Sequence, residues 1–470
     1  MRKTKIVCTI GPSTNSFEKI VELLRAGMNV ARLNMSHGDL TSHQETLNLV
    51  KRAREYMKLP CAIMVDTCGP ELRIGTFKDH RVELKKGDKF IFTVEDVVGD
   101  SGVVSCPYPA LLKVLKVNQK IYANNGLLEF VVKEITKREF ICRVSVGGVL
   151  SDHKSISIPH IRLPLPYVSE KDDKNIEFAV RNDVEYISAS FVSNKSDLDA
   201  LKRTIKKYGG RQEIIAKIES LEGINNLDTI IDACDGIMVA RGDMGTEIAI
   251  EQIPAVQKNM IAHCIAHAKK VIVATEMLES MTTQRRPTRA ETTDVAQAIY
   301  DKSGATMLSG ETASGCYPIE SCDTMAKIAL ATEKMVSYDD EFLCNYTSVN
   351  KSLSAIAYSA CASSRAVGAK AILCFSDKGK TADAISRFRP KADIVAVTHD
   401  SYTFNRLALT WGVTPVLANE QKTQEEMLAL ASTVAKNLKL AKTGDKIIVT
   451  LGLPIALKGT TNAIHILEVE

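Results

Sequence analysis

The sequence predicts an α/β protein, a (β/α)8 barrel with an inserted small all-β domain and a C-terminal open α/β domain. Three observations predict it. Eight short, β-branched apolar runs alternate with helix-length amphipathic segments, the pattern of βα units around a parallel sheet. Between the third and fourth runs the texture changes to a strand-and-turn pattern, and from Ser352 onward a second α/β alternation begins. A chain of 470 residues, 45% hydrophobic and 25% charged, is long enough for such an assembly and has the balance of a folded globular protein.

The eight runs are Lys5 to Ile10, Asn29 to Leu33, Cys61 to Asp66, Tyr186 to Ser190, Ile214 to Ile218, Gly236 to Ala240, Val271 to Thr275 and Ala305 to Ser309. Eight is the number that closes a barrel. From about Gly75 to Pro159, Val/Ile/Lys alternation broken by Gly and Asn reads as a small β domain. It follows a strand's C-terminal end, where a barrel keeps its active-site loops, so it is placed to act as a lid. Ser169-Glu170-Lys171-Asp172 resembles a capping box and restarts the barrel. The runs Ala371 to Phe375, Asp393 to Val397, Thr414 to Leu417 and Lys446 to Leu451 build the last domain. The expected division is 1–69 and 166–345 for the barrel, 70–165 for the lid and 346–470 for the C-terminal domain.

Composition narrows the function. Sixty Lys plus Arg against 56 Asp plus Glu leaves +4, too little to suggest a nucleic-acid binder, so any anion site is local. The twelve cysteines are scattered and none is paired as CxxC, which suits a reducing compartment. The apolar stretch behind the basic start breaks at Gly11-Pro12, so neither a signal peptide nor a membrane span is expected. A cytoplasmic protein with no membrane partner is the expectation.

Barrel chemistry sits at the C-terminal ends of strands, and here those ends are unusually polar. They carry Arg32, Asn34 and Ser36; Asp66 and Thr67; Ser190; Lys217 and Glu219; Arg241 and Asp243; Thr275 and Glu276; and Ser309 and Glu311. Strand alternation points Lys217 and Glu219 the same way, and likewise Arg241 and Asp243. Two converging carboxylates, Glu219 and Asp243, call for a cation between them. Mg²⁺ fits, because it is typically held by one or two carboxylates with waters and substrate oxygens completing its shell. Arg32, Arg73 and Lys217 add positive charge beside it, an arrangement that stabilises a phosphoryl group in transfer. Gly242 lets backbone N–H groups approach an anion. The alternative is a salt-bridge network that plugs the barrel mouth without metal.

Thr4 to Pro12 (TKIVCTIGP), Arg32 to Gly38 (RLNMSHG), Met238 to Gly245 (MVARGDMG), Arg286 to Glu291 (RPTRAE) and Met307 to Ala313 (MLSGETA) together resemble the pyruvate kinases, as does the terminal GTTNAI at Gly459 to Ile464. The resemblance implies transfer of the phosphoryl group of phosphoenolpyruvate to ADP, followed by protonation of the enolpyruvate. By that resemblance Glu219 and Asp243 are the ligands of Mg²⁺ (or Mn²⁺). Lys217 neutralises the phosphoryl oxygens, Arg32 clamps the phosphate, and Thr275 lies where a proton reaches the methylene carbon through water. Asn34, Ser36, Asp66 and Thr67 match the monovalent-cation site, and Glu71 matches the glutamate that accompanies K⁺ dependence. Arg73, His37 and Lys154 resemble nucleotide-phosphate contacts. A homotetramer is implied as well. The chain departs from the family pattern with Cys68 where lysine is usual, Asn124-Asn125-Gly126 for Asp-Asp-Gly, and Glu276 for glutamine.

In the last domain, Ser376 to Thr381 follows a strand and opens a helix, a geometry that favours phosphate. Cys374 stands where a P-loop needs its first glycine, so a P-loop is rejected. The loop resembles the family's allosteric phosphate pocket, with Ser376, Lys378 and Thr381 as contacts for a phosphorylated effector and the segment around Gly452 to Gly459 nearby. An ordinary αβ connector is the alternative. His263 and His267 have metal-binding spacing but lack the HExxH glutamate and read as ordinary surface or packing residues. Two rivals to a kinase stay open on sequence alone: a barrel lyase using the same metal without ADP, and a weakened paralogue that binds metabolites.

Overall fold

The computed structural model describes residues 1–124, 126–159, 161–337, 351–455 and 461–470. Asn125, positions 338–350 and positions 456–459 of the Gly452 to Gly459 segment lie outside these. The eight runs form a closed parallel barrel from Lys5–Thr9, Val30–Asn34, Ala62–Asp66, Tyr186–Ala189, Glu213–Ile218, Gly236–Ala240, Lys270–Ala274 and Ala305–Leu308. Strand alternation splits the apolar residues cleanly. Val7, Val30, Met64, Ile215, Met238 and Ile272 fill the interior, while Ile6, Cys8, Ile214, Ala216 and Ile218 pack outward in the core shared with the helices.

The lid leaves the barrel after the third strand. It holds a seven-stranded sheet and a two-stranded one over a core that includes Phe90, Phe92, Phe130 and Phe140. Its outgoing and returning segments, Leu72–Arg73 and Ser155–Ser157, pair antiparallel, so the connection to the barrel is a two-stranded neck. Ser169 caps the next helix, Glu170–Arg181, by accepting from Asp172 N–H. The reciprocal half of a capping box is replaced, because the Asp172 carboxylate instead accepts from the N–H groups of Cys68 and Gly69, each at 2.9 Å.

The C-terminal domain is a five-stranded sheet in the order Val413–Leu417, Asp393–Thr398, Ala371–Phe375, Lys446–Leu451 and Ala463–Glu468. The last strand runs antiparallel and was not expected from the sequence. Between its second and third strands in chain order, the segment Ser401–Leu409 stops the barrel's N-terminal end: Ala408 and Leu409 join the barrel-interior cluster. The site's scaffold is therefore a cylinder with the lid over its C-terminal end and this domain on the other.

Candidate active site

The fifth barrel strand supplies the centre of the site. Ile215 faces inward, and two residues on Lys217 does the same, with Glu219 just past the strand's end. Lys217 Nζ donates to Ser190 Oγ at 2.7 Å and lies 2.9 Å from Glu219 Oε1 and 3.6 Å from Asp66 Oδ1. Its side chain is 12% exposed. Burial pulls the ammonium's pKa down, but Asp66 and Glu219 more than reverse this and leave it above its ordinary value. Lys217 is thus a fixed cation.

Glu219 is the strained partner. Its Oε2 accepts from Phe191 N–H at 2.6 Å, whereas Oε1, buried and close to Lys217, has no hydrogen bond of good geometry. Burial pushes its pKa up from 4.5 to about 7; Lys217 opposes this and Asp243 adds to it. Glu219 and Asp243 both line the cleft between barrel and lid, about 1020 Å³ in open volume, together with Ser220, Phe191 and Glu71. A buried carboxylate oxygen that meets only the Lys217 ammonium, beside a second carboxylate on a solvent-reached cleft, is a donor set that fits a hard divalent cation. Among the described residues no group of three or more His, Cys, Asp or Glu side chains forms a metal cage.

Asp66, at the end of the third strand, joins two cations. Its Oδ2 accepts from Arg32 Nε at 2.6 Å, and Arg32 Nη1 donates to Thr9 Oγ1 at 2.9 Å. Burial alone would raise the Asp66 pKa, but Arg32 and Lys217 hold it below its ordinary value. Asn34 and Asp66 are register partners on adjacent strands, and Ser36 N–H donates to Asn34 Oδ1 at 3.2 Å. Thr67 Oγ1 is tied to Ser188 O and to Ser190 N–H, both at 3.3 Å. The four oxygen-bearing residues of the expected monovalent site therefore flank one strand pair, with Asp66 shared between that site and Arg32. Next to them Arg73 forms an ion pair with Glu71 (2.7 Å) and donates to His153 O (2.9 Å). His37 has its pKa lowered by partial desolvation of its ring and then by Arg73, so it borders the same basic patch. Lys154 sits on the returning neck, its carbonyl accepting from Ile74 N–H.

The sixth and seventh strands correct one expectation. Arg241 and Asp243 do not share a direction, because the strand ends at Ala240 and the chain turns into the helix Arg241–Glu247. Arg241 is buried and donates to Thr275 O (2.6 Å), Glu276 O (3.2 Å) and Asp294 (2.7 Å), while Asp243 reaches the cleft. Gly242 N–H donates to Thr275 Oγ1 at 2.8 Å. Thr275 and Glu276 hold φ of 67° and 52°, a left-handed conformation that is costly for a β-branched residue and is held by these Arg241 contacts. Glu311 is buried, and its carboxylate accepts from the N–H groups of Leu278 and Ser309.

Sequence reasoning left three contributors without a role. Ser190 bonds Lys217, Phe191 N–H bonds Glu219, and Asp172 anchors the Cys68–Gly69 turn. Gly69 has φ 71°, and a Cβ there would come within 2.8 Å of Ser190 O, so the turn needs glycine. In the C-terminal domain, Ser376 N–H donates to Val397 O, Gly379 starts the helix Lys380–Arg387 without a side-chain cap, and Thr381 Oγ1 lies 2.6 Å from Thr461 Oγ1. His263 pairs with Asp228, and His267 Nδ1 meets His263 O, neither near the mouth residues.

Comparison with known proteins places this geometry. Residues 1–322 match the family model "Pyruvate kinase, barrel domain", and residues 354–467 match "Pyruvate kinase, alpha/beta domain". The pyruvate kinase of Clostridium acetobutylicum is 39% identical over 474 residues, covering 100% of both chains. That of Clostridium perfringens is 41% identical, covering 99% of each. The Geobacillus stearothermophilus enzyme is 41% identical, with 99% of this chain and 80% of that one covered. A crystal structure of a Cryptosporidium parvum pyruvate kinase superposes with a TM-score of 0.94 at 36% identity, covering 100% of this chain and 96% of that one.

Proposed function

The chain belongs to the pyruvate kinase family, phosphotransferases that pass a phosphoryl group from phosphoenolpyruvate to ADP, and on that premise we propose how its own residues divide the reaction. The family works with a divalent and a monovalent cation. Here Glu219 and Asp243 hold the divalent ion, Mg²⁺ or Mn²⁺, and Asn34, Ser36, Asp66 and Thr67 hold K⁺ beside Glu71. The divalent ion, when bound, supplies neutralising charge to the substrate's carboxylate and phosphoryl oxygens.

Lys217 is the electrostatic centre. Its ammonium, fixed by Ser190 and Asp66, sits where charge develops on the transferring group, and its raised pKa makes it a cation rather than a proton acceptor. Arg32, oriented by Asp66 and Thr9, clamps the phosphate. Arg73, His37 and Lys154 take the nucleotide phosphates at the neck between barrel and lid. Thr275 orients the water that delivers a proton to the methylene carbon, its Oγ held by Ala274 O at 2.6 Å and Gly242 N–H. The division into 1–69 and 166–345, 70–165, and 346–470 follows the same reading. So do a homotetramer, a phosphorylated effector at Ser376, Lys378 and Thr381, and a cytoplasmic location. No helix among the described residues is long and apolar enough to cross a membrane.

The observation that carries the assignment is the convergence of Lys217, Glu219 and Asp66 within 3.6 Å at a cleft that Asp243 also lines. Lys217→Met tests it. ATP formation from phosphoenolpyruvate and ADP is expected to fall by about 10²–10³-fold, the loss typical of a preorganised charge. Metal-dependent exchange of the methyl protons of pyruvate should persist, since enolisation draws on the metal more than on the lysine. Equal loss of both activities would remove the separate role of Lys217.

A further inference from the structure

Away from the barrel mouth, two neighbouring helices on the outside of the barrel carry a facing set of imidazoles and carboxylates. Asp228 and Asp232 lie one turn apart on the helix Leu227–Ala233. His263 lies in the last turn of the helix Ile253–Ala266, and His267 caps it. Ile230, Ile231, Met260 and Cys264 bury the inner sides of both helices in the barrel's outer core, while the four polar side chains reach the surface.

Spacing alone made the two histidines ordinary surface residues; their hydrogen bonds add what the spacing lacks. His263 Nδ1 lies 2.6 Å from Asp228 Oδ1, and His267 Nδ1 lies 2.9 Å from the His263 carbonyl oxygen. Carboxylate and carbonyl oxygens only accept, so Nδ1 carries the proton on each ring, and in the neutral imidazoles both Nε2 atoms present bare lone pairs. A metal-bound histidine is oriented in the same way, its other nitrogen donating to a carboxylate or a backbone carbonyl. His267 Nε2 faces Asp232 Oδ1 at 3.9 Å. Two acceptors so placed call for a cation between them. Ligands about 2.0–2.1 Å from a tetrahedral Zn²⁺ stand about 3.4 Å from one another, so a small side-chain movement closes this pair on an ion.

We propose that His263, His267 and Asp232 form a binding site for a borderline divalent cation, Zn²⁺ first among them, with Asp228 orienting His263 and water in the remaining position. The side chains as they stand do not form a cage. Residues four apart on a helix have Cβ atoms about 5–6 Å apart, and rotation of the partly exposed His263 ring, a fast motion for a surface side chain, brings in the second imidazole. Asp228 is 66% exposed and follows the ring. Imidazole suits Zn²⁺, whereas Mg²⁺ takes a shell of oxygens, so this site differs in chemistry as well as place from the one at Glu219 and Asp243. A bound ion ties together the two helices that precede and follow the strand Gly236–Ala240 in the chain.

The test is calorimetric titration of Zn²⁺ into the full chain, stripped with a chelator and then saturated with Mg²⁺ and K⁺ so that sites for hard cations are filled. A phosphine reductant keeps the thiols reduced, and the exposed Cys316, which would compete for zinc, is replaced throughout by Cys316→Ser. One equivalent is expected to bind in the micromolar range. His263→Ala, His267→Ala and Asp232→Asn should each weaken binding by about tenfold or more, and Asp228→Asn by about 10–100-fold at unchanged stoichiometry, the loss typical of an outer partner. All four side chains are away from the mouth, so turnover with Mg²⁺ should stay within about twofold of the parent, which also shows that the variants fold. Binding only at millimolar Zn²⁺ overturns the proposal. So does an equivalent of Zn²⁺ that binds as tightly when both histidines are replaced.

Discussion

Thr275 shows how a single residue trades stability for chemistry. A β-branched side chain at φ 67° costs on the order of 1–3 kcal/mol, and the Arg241 contacts to Thr275 O and Glu276 O hold it there. Thr275→Gly should therefore melt at a midpoint no lower than the parent's while losing about tenfold or more in turnover, because the role proposed for its hydroxyl, orienting the proton-delivering water, would go unfilled. A thermal melt and a steady-state assay on one preparation decide it. Glu219 makes the second residue-scale prediction. Burial, which disfavours the charge, pushes its carboxyl up to about 7, against 4.5 ordinarily. Between those values the folded chain keeps a proton that the unfolded chain has released, so metal-free stability falls as pH rises through this window. The cation needs the carboxylate, so below pH 7 proton and metal compete. The half-saturating Mg²⁺ concentration should rise about tenfold for each unit of pH lost, and a Mg²⁺ titration at several pH values below 7 would show it.

At the scale of elements, the junction between barrel strands and the helix Lys380–Arg387 turns on Asp383. Burial would raise its pKa, yet Arg406 and Lys270 hold it down to about 2, below the ordinary 3.8. The stability this confers is complete above 3.8 and drains away as pH falls through 2, because the unfolded chain takes up its proton first. Asp383→Asn should cost about 3–5 kcal/mol at neutral pH, the penalty for leaving buried cations unmatched. The difference from the parent should shrink toward pH 2, as urea unfolding at both pH values would reveal. The elements themselves were largely legible in the sequence. All eight barrel strands announced themselves as β-branched apolar runs, since each is buried on both faces. The edge strand Ala463–Glu468 did not, because it is half exposed and mixes His and Glu with apolar residues. Alternation placed Lys217 and Glu219 together correctly, then failed at Arg241 and Asp243, where the backbone changes period from strand to helix. Arg406 carried no local signal and Asp172 only that of a capping box, because their partners in space are 193 and 104 residues away.

At the scale of the whole molecule, the cleft lies between the lid and the barrel, and polar contacts join its two walls. Arg162, on the returning neck, reaches across to Asp197 (3.1 Å) and Glu222 (3.3 Å), and Ser157 Oγ approaches Thr246 Oγ1 at 3.5 Å. Arg162 is 54% exposed, so its two ion pairs are screened and contribute little to global stability. They nevertheless join the lid's returning segment to the barrel across the cleft, which Ser220 and Glu219 also line. A small bias in the lid equilibrium changes apparent substrate affinity by the competent fraction without touching the fold. Arg162→Ala should accordingly keep its melting midpoint within about 2 °C of the parent, as expected for an exposed pair, while raising KM for phosphoenolpyruvate several-fold with a smaller effect on kcat. Salt supplies the control, because an attraction between exposed charges fades once the Debye length falls to about 3 Å near 1 M ionic strength. Parent and variant should therefore converge in KM as the ionic strength, adjusted at constant K⁺, approaches that value. A gap in KM that persists at high salt would mean that Arg162 acts on the substrate itself rather than on the lid.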